Sequence, residues 1–375
     1  MSVKEDLRFM ARAIQLARYG RYTTAPNPRV GCLLVKAGTV VGEGFHYQAG
    51  GAHAERAALN EAGEQAKGAT AYVTLEPCCH HGRTSPCSDA LIDAGVTRVV
   101  IAMLDPNPKV SGQGLAQLQS SGIETESGLL QTEAELLNPG FIKRMTSSLP
   151  FVRCKLAMSL DGRTAMADGE SKWITSDAAR LDVQRLRARS SAIITGIETV
   201  LNDNPSMNVR LSADSLQDVV TDQDIIQPLR VVMDSNLRTP PSAKLLSLPG
   251  EVVITYANGN PTAITALQNA GATLCHLPGP SGQVEPKKVL RYLAEREINE
   301  VLIEAGPTLA GRFLSANLID ELVIYMAFHL MGDGGRSLFN LPGLEQMSQR
   351  INLEVSDMRR LGPDLRVTAT LRPPI

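Results

Sequence analysis

Apolar runs that predict strands alternate with helical patterns along this 375-residue chain, and the alternation stops once before it restarts. It stops around residues 138–150, where Asn138-Pro139-Gly140 and Ser147-Ser148-Leu149-Pro150 are typical of turns. Strands that alternate with helices indicate layered α/β structure, and a chain of this length is too long for one ordinary core. We therefore predict two α/β domains, over residues 1–146 and 147–375.

The first half contains the signals of a helix, a hairpin and further alternating elements. Ser2 followed by Glu5 predicts a capping box at the start of the first helix. Apolar runs on either side of Gly38 predict a β-hairpin. The elements predicted after it are a helix from His53 to about residue 66, a strand at 71–75, a helix at 88–94 and a strand at 98–103.

The second half repeats this alternation and then changes character. Strands are predicted at residues 152–158, 192–195, 229–233, 252–256, 273–277 and 301–304, and helices at 177–189, 262–270, 287–297 and 309–316. Near the C-terminus, a strand at 322–327 precedes a long strand-like segment at 353–371, which Gly362-Pro363-Asp364 interrupts. We therefore predict a largely parallel sheet with an antiparallel edge.

Composition argues against some classes of function. The formal net charge is −2 and aromatic residues make up 4% of the chain, which does not suit a nucleic-acid binder with a broad basic surface or stacking platforms. No stretch approaches the roughly 18 apolar residues of a membrane span, and no signal-peptide pattern follows Met1. We expect a cytoplasmic protein with a small-molecule partner and without a nucleic-acid or membrane partner.

Three of the six cysteines, Cys78, Cys79 and Cys87, lie within ten residues, which in a reducing compartment suggests metal binding or catalysis. His53, with Glu55 two residues later, and the proline-preceded Cys78 match the H-x-E…P-C signature of zinc deaminases. One imidazole and two thiolates leave one tetrahedral zinc position for water. We expect the metal to activate that water for attack on an amino-bearing ring carbon, and Glu55 to pass a proton to the departing ammonia.

The spacing leaves alternatives open, because His81 and Cys87 both follow Cys78 closely enough to be the third ligand. The plainer interpretations are a structural zinc knuckle and a turn of reduced cysteines without metal, but structural zinc sites usually have four protein ligands and would give Glu55 no role. Asn27, between two prolines, is either a turn former or a substrate contact. For the whole chain, the rivals are a deaminase of nucleic acid or free cytidine and a zinc-binding interaction protein without activity.

On its own, the second half indicates a nucleotide-binding domain. The strand at 301–304 runs into Gly306-Pro307-Thr308-Leu309-Ala310-Gly311 and a helix, whose first amides could hold a cofactor phosphate. Glycine also occurs in such turns for shape alone, and the segment is not a G-x-G-x-x-G fingerprint. Arg187 and Arg210 could bind a substrate phosphate or could be ordinary solvated arginines.

Longer motifs in both halves resemble one family, the bifunctional bacterial deaminase/reductases of riboflavin biosynthesis. The motifs are Thr24-Ala25-Pro26-Asn27-Pro28, His53-Ala54-Glu55, Leu75-Glu76-Pro77-Cys78, Asp105-Pro106-Asn107-Pro108, Trp173-Ile174-Thr175, Asp203-Asn204-Pro205 and the segments 155–163 and 304–311. The resemblance covers nearly the whole chain. It implies a cytidine-deaminase-like three-layer α/β/α domain followed by a dihydrofolate-reductase-like α/β domain.

The resemblance also implies substrates, cofactors and site residues. The first domain would deaminate 2,5-diamino-6-(5-phosphoribosylamino)pyrimidin-4(3H)-one, with one Zn²⁺ held by His53, Cys78 and Cys87 and with Glu55 as proton donor. The second would reduce the ribosyl side chain to ribityl with NADPH, and we take Lys155 and Glu304 as its candidate catalytic residues. Implied substrate contacts are Asn27, Ser171, Arg187, Met207, Arg210 and Glu304. Implied NADPH contacts are Ala157, Trp173, Thr199, Asp203, Ser235, Gly306, Pro307, Thr308, Leu309, Ala310, Gly311 and Arg312. The family further suggests a homodimer formed through the second domain.

Overall fold

The computed structural model describes residues 2–79, 86–108, 110–216 and 225–372. Of these, residues 2–149 together with 225 and 226 form one compact unit, and residues 150–216 and 227–372 form a second. The first unit contains α1 Val3–Ala17, β1 Gly31–Lys36, β2 Thr39–Phe45, α2 Ala54–Ala62, β3 Thr70–Val73, α3 Cys87–Asp93, β4 Arg98–Ile101, α4 Gln113–Ser120, β5 Glu124–Ser127, α5 Gln131–Glu135 and α6 Pro139–Ser147.

The first unit is a five-stranded sheet between two layers of helices. Its strand order is β2-β1-β3-β4-β5, with β1 antiparallel to β2 and β3, and with β3, β4 and β5 parallel. Side chains alternate along β1, so Leu33 and Val35 pack in the cluster that includes α1 and α6. Cys32 and Leu34 pack in the opposite cluster, with α2, α3 and α4. This confirms the predicted three-layer α/β/α arrangement.

Two local predictions for the first unit are confirmed. Glu5 and Ser2 form the capping box of α1, in which the Ser2 N–H donates to Glu5 Oε2 at 2.9 Å. Ala37 and Gly38 join β1 to β2, and both have positive φ, at 48° and 79°. Positive φ at both central residues defines the tight hairpin turn that suits the twist of antiparallel strands.

The second unit contains seventeen helices and strands among its described residues. They are β6 Phe151–Ser159, β7 Arg163–Ala165, α7 Asp177–Ala188, β8 Ala192–Gly196, α8 Ile197–Asp203, α9 Ala213–Leu216, β9 Leu229–Met233, β10 Val252–Tyr256, α10 Pro261–Asn269, β11 Thr273–His276, α11 Pro286–Glu295, β12 Glu300–Glu304, α12 Pro307–Ser315, β13 Glu321–Ala327, β14 Arg336–Ser337, β15 Leu353–Leu361 and β16 Asp364–Leu371.

The main sheet of the second unit has nine strands in the order β11-β10-β9-β8-β12-β6-β13-β16-β15. The strands from β11 to β13 are parallel, and β16 and β15 add an antiparallel edge, as predicted. A separate two-stranded sheet pairs β7 with β14. Because the carboxyl ends of parallel strands meet at one edge, the residues that follow β8, β9 and β12 are brought together there.

Among the described residues, no helix combines the length and the apolarity that a membrane crossing requires.

Candidate active sites

Three predicted metal ligands converge in the first unit. His53 is the N-cap residue of α2 and Cys87 is the first residue of α3, so two helices begin at this site. His53 Nδ1 lies 3.3 Å from Cys87 Sγ and 3.7 Å from Cys78 Sγ, and the three ligand atoms lie within 4.8 Å of one another. The other ligand considered, His81, lies outside the described residues.

The geometry of these donors fits Zn²⁺. Bonds of about 2.3 Å to sulfur and about 2.0 Å to nitrogen in a tetrahedral site separate the two donors by roughly 3.5 Å, which lies between the two observed N···S distances. Hydrogen bonds from Cys87 lower the pKa of Cys78 to about 4. The hydrogen bond with Cys78 and burial raise the pKa of Cys87, and a cation bound between them would favour the ionised form of both thiols.

Glu55 is buried beside these ligands, with 3% of its surface exposed. Burial and the neighbouring Cys78 thiolate raise the pKa of Glu55 to about 7. A carboxyl group with a pKa near neutrality can both accept and release a proton at physiological pH. The arrangement therefore combines a three-ligand metal set with a proton-transfer group.

Asn27 is oriented by His46, a residue that the sequence analysis did not single out. The His46 and His53 rings contact edge to face, with centroids 5.4 Å apart. His46 Nδ1 lies 2.9 Å from the carbonyl oxygen of Ala52, so Nδ1 must carry the proton. Its Nε2 therefore accepts from Asn27 Nδ2, at 3.1 Å, and the amide oxygen of Asn27 is left as an acceptor.

Glu76 organises the loop next to Cys78. Its carboxylate accepts hydrogen bonds from the backbone N–H groups of Asp105, Gly112 and Leu115, at 3.1, 2.9 and 3.1 Å. Gly112 and Leu115 belong to the start of α4, so Glu76 supplies a cap from a distant part of the chain. The signal in the sequence was a carboxylate directly after the strand predicted at 71–75, which ends at Val73 in the structure.

A cavity of about 1100 Å³ lies at the carboxyl ends of the second unit's parallel strands. Most of the predicted substrate and cofactor residues line it: Lys155, Ala157, Ser171, Arg187, Thr199, Asp203, Met207, Ser235, Glu304, Gly306, Pro307, Thr308, Leu309 and Arg312. A Cβ atom added at Gly306 would meet nothing within 4 Å, so the start of α12 is accessible to a ligand. A helix start of this kind favours phosphate, which fits the pyrophosphate of NADPH.

Charged side chains cluster at one part of this cavity. Lys155 and Glu304 are paired directly across β6 and β12, and Arg187 forms two hydrogen bonds with Glu304, at 2.6 and 2.8 Å. Desolvation lowers the pKa of Lys155. Burial opposes ionisation of Glu304, but the Arg187 guanidinium holds the pKa of that carboxyl below its ordinary value. One face of Arg187 is therefore already engaged by a carboxylate.

Four predicted residues are not among those that line the cavity. Trp173 is 73% exposed and stacks against Arg180, whose guanidinium carbon lies 4.4 Å from the ring centroid. Arg210 donates to Asn208 Oδ1 at 3.1 Å, and its pKa is lowered by burial and by the nearby Arg187. Ala310 and Gly311 lie on the buried side of α12. A Cβ added at Gly311 would come within 2.1 Å of the Asn340 carbonyl oxygen, which explains the glycine by packing.

Known protein families match both halves of the chain. The family described as the RibD C-terminal domain matches residues 150–367, and the cytidine and deoxycytidylate deaminase zinc-binding region matches residues 3–103. The riboflavin biosynthesis protein RibD of Escherichia coli (strain K12) is 48% identical over 367 residues, which cover 96% of this chain and 98% of that protein.

Solved structures agree with these matches over almost the full length. Acinetobacter baumannii RibD has a TM-score of 0.91 and 45% identity, with 99% of this chain and 100% of that chain covered. A protein of Thermotoga maritima, described as a diaminohydroxyphosphoribosylaminopyrimidine deaminase/5-amino-6-(5-phosphoribosylamino)uracil reductase, has a TM-score of 0.84 and 32% identity, with 99% of each chain covered. The chain therefore belongs to the RibD family and is a two-activity enzyme of riboflavin biosynthesis, a zinc-dependent deaminase and an NADPH-dependent reductase.

Proposed function

We propose that the first unit hydrolytically deaminates 2,5-diamino-6-(5-phosphoribosylamino)pyrimidin-4(3H)-one and that the second reduces the ribosyl side chain of the deaminated product to ribityl. The observation that carries the proposal is the convergence of His53, Cys78 and Cys87 beside the buried Glu55. The proposed domains, 1–146 and 147–375, divide the two activities. The name of the Thermotoga maritima relative supports this pair of substrates.

In the deaminase step we assign proton transfer to Glu55. Zinc, when bound by His53, Cys78 and Cys87, lowers the pKa of a water molecule at its open position and so supplies a nucleophile. Glu55 takes a proton from the attacking water and gives it to the departing amino group, and the second water proton passes to the ring nitrogen, so that ammonia leaves and a carbonyl replaces it. Asn27, held by His46, offers its amide oxygen to an N–H or O–H donor of the substrate.

In the reductase step we assign Lys155 and Glu304 to the substrate end of the cavity and the start of α12 to the cofactor. NADPH, when bound, supplies the hydride that reduces the sugar carbon. Lys155, paired across the strands with Glu304, is placed to give a proton to the sugar oxygen. Arg187 and Ser171 line the cavity and Arg210 lies near Arg187 although it is not part of the lining; we assign all three to the substrate phosphate, since guanidinium groups suit phosphate oxygens.

We also propose a homodimer formed through the second unit. β15 is the edge of the nine-stranded sheet, and Leu353, Val355 and Met358 on it are 41%, 57% and 65% exposed. Apolar side chains on an open edge strand are usually covered by a partner. A second copy of this chain is the partner that the family suggests.

The two assignments are tested by a coupled assay that follows ammonia and NADPH together. Glu55→Gln should lower ammonia release by roughly 10²- to 10⁴-fold while NADPH oxidation with deaminated substrate persists. Lys155→Met should lower NADPH oxidation by about 10²-fold while ammonia release persists. Removal of zinc with a chelator should abolish only ammonia release.

Exposed residues on the same units give matched controls. Glu64→Gln and Lys287→Met replace exposed side chains and should leave both rates unchanged. Wild-type NADPH oxidation by Lys155→Met would remove Lys155 from the proposed mechanism. Ammonia release that survives chelation would contradict the zinc assignment.

A further inference from the structure

One end of the reductase cavity is formed by the turn that follows β9. The cavity is lined there by Asp234, Ser235, Asn236 and Arg238. In parallel sheets that bind dinucleotides, the turn after a neighbouring strand commonly contacts the adenosine ribose. A free carboxylate at that position binds the ribose hydroxyls of NADH, whereas an arginine accommodates the additional 2′-phosphate of NADPH.

The carboxylate in this turn is not available to a ribose. Asp234 is fully buried, and its Oδ2 accepts hydrogen bonds from the Thr239 N–H and hydroxyl groups, at 2.7 and 2.8 Å. Its Oδ1 is sealed from solvent and has no hydrogen-bond partner among the described residues. Asp234 therefore hydrogen-bonds within the turn, to Thr239, and so holds the backbone before and after Arg238 in place.

The conformation of the turn is unusual and is held by packing. Leu237 has a φ of 51°, a left-handed conformation that is unfavourable for a residue other than glycine. Its side chain is 6% exposed and lies so close to Gly259 that a Cβ there would come within 2.6 Å of it. Ser235 Oγ also accepts from the Val284 N–H at 3.0 Å. With Leu237 buried in this way, the next side chain, Arg238, is exposed at the cavity.

Arg238 presents a guanidinium that a phosphate can reach. Its side chain is 48% exposed and forms an ion pair with Glu198, which also lines the cavity and is 68% exposed. An ion pair between two such exposed groups is weak, so a doubly charged phosphate can replace the carboxylate. The other arginine near this end, Arg312, already donates to the Val284 carbonyl oxygen at 2.9 Å.

We propose that Arg238 binds the 2′-phosphate of the cofactor and thereby selects NADPH over NADH, and that Glu198 competes with the phosphate for the same guanidinium. The proposal rests on the proposed function, because it requires the cofactor to lie in this cavity. It assigns a residue to cofactor specificity that the sequence alone did not indicate.

The test uses the nucleotide fragments adenosine 2′,5′-bisphosphate and 5′-AMP, whose binding is measured by titration calorimetry without turnover. Arg238→Gln should weaken binding of the 2′,5′-bisphosphate by roughly 10- to 100-fold, the loss of a charge-assisted hydrogen bond, and should leave 5′-AMP binding unchanged. Arg238→Lys should give an intermediate loss, since it keeps the charge without the planar fork.

A second variant predicts a change of opposite sign. Glu198→Gln removes the competing carboxylate, so the 2′,5′-bisphosphate should bind roughly two- to fivefold more tightly. The control is Arg296→Gln, which breaks a comparable surface pair with Glu251 and should change neither affinity. In turnover, Arg238→Gln should lower kcat/KM for NADPH but not for NADH.

The outcomes separate this proposal from the proposed function. If the wild-type protein bound neither nucleotide, both the cofactor assignment of the cavity and the role of Arg238 would be overturned. If the wild type and Arg238→Gln bound the 2′,5′-bisphosphate equally well, Arg238 alone would be excluded as the selecting residue. A loss of both nucleotides by the same factor in Arg238→Gln would also overturn the proposal.

Discussion

At the residue scale, the amide of Asn27 shows how a hydrogen bond fixes the chemistry that a side chain offers. His46 Nδ1 donates a hydrogen bond to the Ala52 carbonyl oxygen, so the proton of the ring is on Nδ1. His46 Nε2 then accepts a hydrogen bond from Asn27 Nδ2, which orients the Asn27 amide. The amide oxygen is then the side-chain acceptor that Asn27 would offer to the proposed substrate. These contacts depend on which atoms of residue 27 donate and accept hydrogen bonds, and not on the size of its side chain.

Asn27→Asp is therefore expected to disable the deaminase although it is nearly isosteric. A carboxylate oxygen would face the lone pair of His46 Nε2, and the orientation of residue 27 would be lost. We expect kcat/KM for ammonia release to fall at least about tenfold, the cost of one buried hydrogen bond, with zinc content and NADPH oxidation unchanged.

Asn260→Asp provides the matched control for this change. Asn260 caps α10 through its Oδ1, and aspartate caps a helix equally well, so both activities should stay at the wild-type level. Full ammonia release by Asn27→Asp would show that the amide nitrogen has no part in the site.

Residue types and spacing predicted a zinc set that includes His53 and Cys78 with Glu55 beside it, but they left Cys87 and His81 open as the third ligand, and only the family resemblance favoured Cys87. His46, Glu76 and Arg238 could not be predicted, since each acts through backbone groups or a cavity that only the fold creates. Arg238 is one of many arginines in the sequence. Its position depends on the buried Leu237 and on the Asp234–Thr239 hydrogen bonds.

At the scale of elements, Asp161 joins two segments that form one wall of the reductase cavity. Its carboxylate accepts hydrogen bonds from the Met331 and Gly332 N–H groups, at 3.1 and 2.7 Å, and from the Ser159 hydroxyl. The segments it joins lead into β7 and β14, which contribute Thr164 and Arg336 to the cavity lining. The pairing of β7 with β14 therefore depends on a carboxylate at the turn.

This clamp predicts a pH dependence of stability. The Ser159 hydroxyl, followed by the Met331 and Gly332 N–H groups, lowers the pKa of Asp161 from 3.8 to about 2. Because the folded-state pKa is depressed, the stabilisation is complete above the ordinary pKa and is lost as the pH falls from about 4 to about 2. The wild-type protein should exceed Asp161→Asn in free energy of unfolding at pH 6, and the difference should shrink across that window.

Urea unfolding of the second unit at a series of pH values measures this difference. A difference that stays constant between pH 5 and pH 2 would contradict the role given to the Asp161 carboxylate. In that case the difference in free energy of unfolding between the wild type and Asp161→Asn would be due to packing and not to the charge of Asp161.

The elements that could be predicted from the sequence are those that local patterns specify. β9 and β10 were predicted with their observed bounds because each is a mostly apolar run between turn residues, buried along nearly its whole length although β9 contains Arg230. β5 was not predicted, since Glu-Thr-Glu-Ser at the edge of the first sheet has no apolar residue. α4 was also missed. It begins at a cap supplied by Glu76, which lies far from it in the sequence.

At the scale of the whole molecule, each candidate site is built from residues of a single unit. The three candidate zinc ligands lie in the first unit, and every residue that lines the cavity assigned to the reductase lies in the second. We therefore expect each half-reaction to need the intact residues of only one unit. The intermediate between them is a small phosphorylated molecule that can diffuse.

We accordingly expect two defective chains to complement each other in solution. A mixture of Glu55→Gln and Lys155→Met should convert the diaminopyrimidine to the ribityl product, whereas neither variant alone should do so. The lag before product appears should shorten as the protein concentration rises, since the intermediate must reach a second molecule. Absence of product from a mixture in which each variant keeps its remaining activity would require direct transfer within one chain.

Because His53 and Cys87 lie at the starts of two helices, metal binding there should affect how stable the protein is in a cell. An ion bound there fastens the beginnings of α2 and α3 to each other, so the free energy of metal binding adds to the free energy of folding. Zinc deficiency would then abolish the deaminase activity, and it would also shift newly made chains toward partly unfolded forms that proteases degrade. The abundance of the enzyme, and with it the output of the vitamin, would follow the supply of a trace metal.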